Sequence, residues 1–138
     1  MFITLCENKL AFLIDCGYSL WLELSSTNYE RIVWKNRDVI ISIDHTNYES
    51  ALELDIYICG RQVDINKLFS DLGLSYNSAR YEYTAGAMEN GIAYFAEALD
   101  ILIKVIFLQD YDSLKQELEN QAQAHPNLTE QEAEYGKP

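Results

Sequence analysis

The chain reads as an α+β domain: an N-terminal helix, a four-stranded antiparallel β-meander, then two or three C-terminal helices packed on one sheet face. Three observations predict this. Residues 2–15 space their apolar side chains at helical intervals. Residues 18–58 switch to a period of two, in four runs separated by short polar turns. Residues 84–108 return to a helical stripe. Short connections between successive strands make them antiparallel neighbours.

In the first helix Phe2, Leu5, Leu10, Leu13 and Ile14 recur at helical spacing, with Glu7, Asn8 and Lys9 between them. Gly17 stands where a residue with positive φ would stop that helix, and Tyr18 supplies the apolar contact that follows such a stop. From there Tyr18, Leu20, Leu22 and Leu24 point one way and Ser19, Trp21, Glu23 and Ser25 the other. After the turn "SSTN" (25–28), "YERIVWK" (29–35) is the second strand. The turn "NRD" (36–38) leads into "VIISIDH", and the loop "TNYES" (46–50) into "ALELDIYIC". One face, with Leu20, Leu22, Ile41, Ile43, Leu54 and Ile56, is expected to pack on the 84–108 helix.

Asp64 is placed to cap a short helix, "INKLFSDLG", which Gly73 ends. "LSYNSARYEY" (74–83) reads as an aromatic-rich connection, and Thr84 as the cap of the longest helix. Ile92, Phe95, Ala96, Leu99, Ile103 and Ile106 form that helix's apolar stripe, and Asp100 and Lys104 make a helpful i,i+4 pair on its polar side. "DYDSLKQELENQAQA" (110–124) is a weaker amphipathic helix ended by Pro126. The expected organisation is one domain over 1–124 and a frayed acidic tail over 125–138.

Charge narrows the function. In 138 residues, 22 acidic side chains face 10 basic ones, for a net charge of -12. Such a surface repels nucleic-acid phosphates and anionic lipid, so neither is an expected partner, and it attracts a basic protein. Cys6, Cys16 and Cys59 are odd in number and show no paired spacing, which points to reduced thiols in a cytoplasmic protein. The first residues lack a basic signal region, and "ILIKVIFL" (101–108) is too short to span a bilayer.

Chemistry-bearing motifs are scarce. No phosphate-binding loop, dinucleotide fingerprint or nucleophile elbow occurs, and His45 and His125 have no ligand-like spacing to the cysteines. No catalytic residue, metal site or cofactor is therefore expected. Asp44, Glu53 and Asp55 can share a sheet face, but an open face has no pocket to desolvate a carboxylate pair for acid–base work. The same face suits recognition: Trp21, Glu23, Asp44, Glu53, Asp55 and Tyr57 combine aromatic anchors with acids that select a basic partner. Charge reversal at Asp44 and Asp55 is expected to weaken association and leave the fold almost untouched.

The helix closing on "DCGY", the strands of "DVIISIDHTNYESALELDIYI" and the helix "INKLFSDLG" resemble the small bacterial immunity-type proteins encoded beside polymorphic toxins. The resemblance spans about residues 5 to 115 and implies direct binding and inhibition of a cognate toxin, without cofactor or catalysis. It carries no particular binding residue over to this chain. The expectation is an acidic cytoplasmic protein that neutralises a basic partner. The alternative is a self-associating structural or adaptor domain that forms a homodimer.

Overall fold

The computed structural model describes residues 1–37, 39–58, 60–71, 73, 78–84 and 87–108. Its elements run α1 (Phe2–Lys9), α2 (Phe12–Asp15), β1 (Ser19–Ser25), β2 (Tyr29–Asn36), β3 (Val39–Thr46), a 3-10 turn (Asn47–Glu49), β4 (Ala51–Ile58), β5 (Arg61–Gln62), α3 (Ile65–Asp71), β6 (Arg80–Glu82) and α4 (Met88–Leu108). The architecture is α+β, with one antiparallel sheet ordered β1-β2-β3-β4-β5 and β6 also paired to β4. The four-strand meander is thus extended by two short strands. β6 lies within the stretch that reads as a connection in the sequence.

The expected first helix is two pieces, broken after Lys9. Gly17 then ends α2 as anticipated, with φ of 94°. The Tyr18 N–H donates to the Leu13 carbonyl at 2.9 Å and the Gly17 N–H to the Ile14 carbonyl at 3.1 Å. This is the paired closure of a Schellman motif, and Tyr18 is buried beneath it. Asp64 caps α3 through an Oδ1 that accepts from the Lys67 N–H at 3.1 Å. Thr84 does not cap α4, which starts at Met88. The Ala87 N–H donates back to the Thr84 carbonyl instead, making a turn before the helix. The expected helix over 110–124 and the tail over 125–138 lie outside the described residues.

Helices cover one face of the sheet. Ile32, Trp34, Ile41, Ile43, Leu52, Leu54, Ile56 and Ile58 from the strands join Phe2, Cys6, Leu10 and Leu13 from the N-terminal helices. Phe69 of α3 and Ile92, Phe95, Leu99 and Ile103 of α4 complete the core. α4 comes so near β4 and β6 that a Cβ added at Gly91 would lie 2.6 Å from Leu52 Cδ1 and 2.7 Å from Tyr81 Cδ1. Asp100 and Lys104 pair at 2.9 Å as expected.

One strand departs from the alternation. Between Leu20, opposite Trp34, and Leu22, opposite Val33, the β1–β2 register shifts at Trp21. The extra residue of a bulge flips every later side chain to the other face. Leu22 therefore leaves the helix side and packs against a small second cluster of Val33, Ile40 and Tyr57. This corrects the expected face, on which Leu22 was to lie beside Ile41 and Ile56.

Candidate functional site

The structure divides the six residues expected to form a partner surface. Trp21 lies on the face away from the helices, where its ring sits 5.1 Å from Lys35 Nζ. Asp44, Glu53, Asp55 and Tyr57 share that face, because Asp44 opposes Glu53, Ser42 opposes Asp55 and Ile40 opposes Tyr57 across β3 and β4. Glu23 does not. Beyond the bulge it opposes Ile32 on the helix side, and its carboxyl is held above the usual carboxylate range, first by a hydrogen bond shared with Glu7.

The acids on the outer face are also less available than expected. One cross-strand row reads Leu24, Arg31, Asp44, Glu53 and Arg80. Arg31 clamps Asp44 with two hydrogen bonds, 2.6 Å from Nε to Oδ1 and 2.7 Å from Nη2 to Oδ2. The Ser42 hydroxyl adds a third at 3.2 Å. Arg80 holds Glu53, and also reaches Glu49 at 2.8 Å and Glu82 at 3.1 Å. Asp44 and Tyr57 are buried, which overturns the expectation that Asp44 is open to solvent. Asp55 accepts from Gln62 Nε2 at 2.6 Å. Burial, and then the neighbouring Asp44 charge, push the Asp55 carboxyl up to about 7. Its charge reversal would disturb the fold.

Exposed apolar surface lies at the sheet's end instead. Among the described residues six large hydrophobics are exposed, and three of them, Leu20 (41%), Trp21 (42%) and Leu24 (38%), belong to β1. β1 is the terminal strand of the sheet. The Glu7 and Glu23 carboxyls lie beside it at the surface, within hydrogen-bonding reach of one another.

A second site was not anticipated. On the helix side Glu30 opposes His45 across β2 and β3, and His45 Nδ1 lies 3.1 Å from Glu30 Oε1. On the other side of the ring, His45 Nε2 is 2.6 Å from the Tyr83 hydroxyl. A carboxylate oxygen accepts, so Nδ1 is the donor to Glu30, while Nε2 and the Tyr83 hydroxyl share the second hydrogen bond. Phe2 stacks on the imidazole with ring centroids 5.2 Å apart. His45 is buried, while Met1, Leu5, Asn47, Met88 and Glu89 surround an open cleft of about 370 Å³ that reaches Glu30, His45 and Tyr83. The Tyr83 hydroxyl is pushed up by burial and then by the Glu30 charge, the opposite of what a phenolate nucleophile requires. The arrangement is a hydrogen-bonded relay at the foot of a cleft.

Among the described residues no group of three or more His, Cys, Asp or Glu is placed to hold a metal ion, and no helix is long and apolar enough to cross a membrane. Cys6 and Cys16 are free thiols. Burial, followed by the charges of Glu30 and Glu7, pushes the Cys6 thiol far up, so it is unreactive. Compared with known proteins, the chain matches no family model, no curated protein and no solved structure.

Proposed function

We propose that this protein is a non-catalytic binding domain that docks a basic protein on the β1 edge of its sheet. One observation carries the reading: the terminal strand exposes Leu20, Trp21 and Leu24 together, flanked by Glu23 and its neighbour Glu7. A sheet edge offers backbone donors and acceptors to an incoming strand, and exposed apolar side chains make that edge adhesive. Trp21 on the outer face and the Glu23 and Glu7 carboxyls on the helix side flank the same edge, the ring serving as an anchor and the acids favouring a partner that carries lysine or arginine. The net charge of -12 favours the same partner over long range. The resemblance to immunity-type proteins suggests a toxin domain as that partner, with inhibition following from occupation of the toxin's surface.

Self-association is the second reading, favoured by the same exposed leucines, since two β1 edges could pair antiparallel. The net charge of each copy opposes it. Calorimetry against the purified product of the adjacent gene, at low and high salt, tests the first reading. Trp21→Ala and Glu23→Lys are expected each to weaken binding, the charge change losing its effect as salt rises. Binding that is indifferent to both substitutions would place the interface elsewhere. A concentration-dependent dimer in sedimentation velocity, abolished by Trp21→Ala, would establish the second reading instead.

A further inference from the structure

The cleft above the Glu30–His45–Tyr83 relay takes no part in the β1 edge reading, and its chemistry points to a ligand of its own. Glu30 is largely buried, its side chain only 15% exposed. Among the described residues the one basic group within ion-pair reach of it is His45, which is itself held from behind by Tyr83. A carboxylate has two oxygens and about four lone-pair positions, and the single His45 N–H fills one of them. A charge withdrawn from water stays costly until a cation or several donors meet it. The Glu30 charge is also felt by its neighbours, contributing after burial to the upward shifts of both Cys6 and Tyr83. Glu89 at the mouth adds a second carboxylate, and Lys9 approaches it only across the open surface, at 3.4 Å.

The walls are of a different character. Phe2, Leu5 and Met88 line the space with apolar side chains. About 370 Å³ falls in the range that receives small organic ligands. An anion would meet two carboxylates here. A divalent metal would find too few ligands, and would have to shed its water among apolar side chains. We propose that this cleft binds a small organic cation, an ammonium group on a short apolar or aromatic body. The ammonium donates to Glu30, and the body lies among Phe2, Leu5 and Met88.

The chain has two methionines, Met1 and Met88, and both line the cleft, so their methyl groups report on it directly. The test titrates phenethylammonium, phenethyl alcohol and phenylacetate into the full chain carrying ¹³C-methyl methionine, followed by NMR. Phenethylammonium is expected to shift the Met88 methyl saturably, with the alcohol roughly tenfold weaker and the carboxylate inert, because only the cation forms a charge-assisted hydrogen bond. Glu30→Gln should erase the preference for the cation over the alcohol. Glu89→Gln, at the exposed rim and clear of the core, should reduce it a few-fold. If Glu30→Gln fails to fold, the ranking of the three probes on the unaltered protein still decides. Equal affinity for all three, or no saturable shift of either methyl at millimolar phenethylammonium, would overturn the proposal.

Discussion

Arg31 and Asp44 meet across β2 and β3 in a fork of two parallel hydrogen bonds, at 2.6 and 2.7 Å, on the sheet face opposite the helices. Both side chains are nearly withdrawn from solvent. Removing one partner of such a pair leaves the other as an uncompensated buried charge. Arg31→Met is therefore expected to destabilise the fold by about 3 kcal/mol in urea denaturation. The double substitution Arg31→Met/Asp44→Leu should recover most of that loss. A double variant as unstable as the single one would show that the pair does not act as a unit.

Asp55, beside this pair, makes stability depend on pH. Its carboxyl titrates at about 7 in the folded chain, against 3.8 for the free side chain. The folded state then holds a proton that the unfolded state has released, so stability falls as pH rises. The contribution is intact below pH 3.8 and is lost progressively up to about pH 7. Asp55→Asn removes the burden of the buried charge while keeping an acceptor for Gln62. It is expected to raise stability at pH 8 by on the order of 2 kcal/mol and to flatten the decline between pH 4 and 7. Thermal melts across that range measure it. A variant no more stable than the parent at pH 8 would refute the assignment.

The cap at Gly17 provides a cleaner structural test. Its φ of 94° is strained for any residue with a Cβ, and a Cβ there would stand 3.4 Å from Asn36 Nδ2. Gly17→Val is expected to lower stability by about 1 kcal/mol or more. An unchanged melting temperature would mean that the turn relaxes to another conformation.

This cap was legible in the sequence because a glycine followed by an apolar residue at the end of a helical period has one common structural cause. The register of β2 on β3 was nearly as legible. The short turn after Asn36 sets it opposite Val39, and the Arg31–Asp44 and Glu30–His45 pairs follow from that alone. Two features were hidden. The bulge at Trp21 leaves no mark in a run that alternates without a break, yet it moves Leu22 and Glu23 to opposite faces from those expected. Tyr83 reaches His45 only because β6 pairs with β4, and no local pattern in residues 74–83 announces that long-range contact. The cleft is therefore invisible in the sequence, and the outer face looks more open there than the fold leaves it. Asp44 and Glu53 looked free because their arginine partners lie on other strands.

Close packing at Gly91 yields a test of the α4–sheet contact. An added methyl would meet Leu52 Cδ1 and Tyr81 Cδ1 at distances no real contact shows. Leu52 is fully buried, so it has little room to give. Gly91→Ala, favourable for an isolated helix, is expected here to destabilise by about 1–3 kcal/mol, because overpacking outweighs helix propensity. Chemical denaturation decides the sign.

The β1 edge calls for a kinetic test, because its two components act on different rates. Glu23 and Glu7 are surface charges, and surface charges steer encounter. Glu23→Lys should therefore slow association with a basic partner several-fold at low salt and leave dissociation nearly unchanged. Leu24 is an apolar contact of the bound state, and it opposes Arg31 on β2. Leu24→Glu places a carboxylate opposite that arginine, which the fold tolerates. It also keeps the edge acidic, so association should be as fast as before or faster, while dissociation accelerates roughly tenfold from the lost apolar contact. Surface plasmon resonance against the partner, at two salt concentrations, separates the rates. If Leu24→Glu leaves dissociation untouched, the exposed leucines of β1 are not part of the interface, and docking on this edge is refuted even where Glu23→Lys slows association.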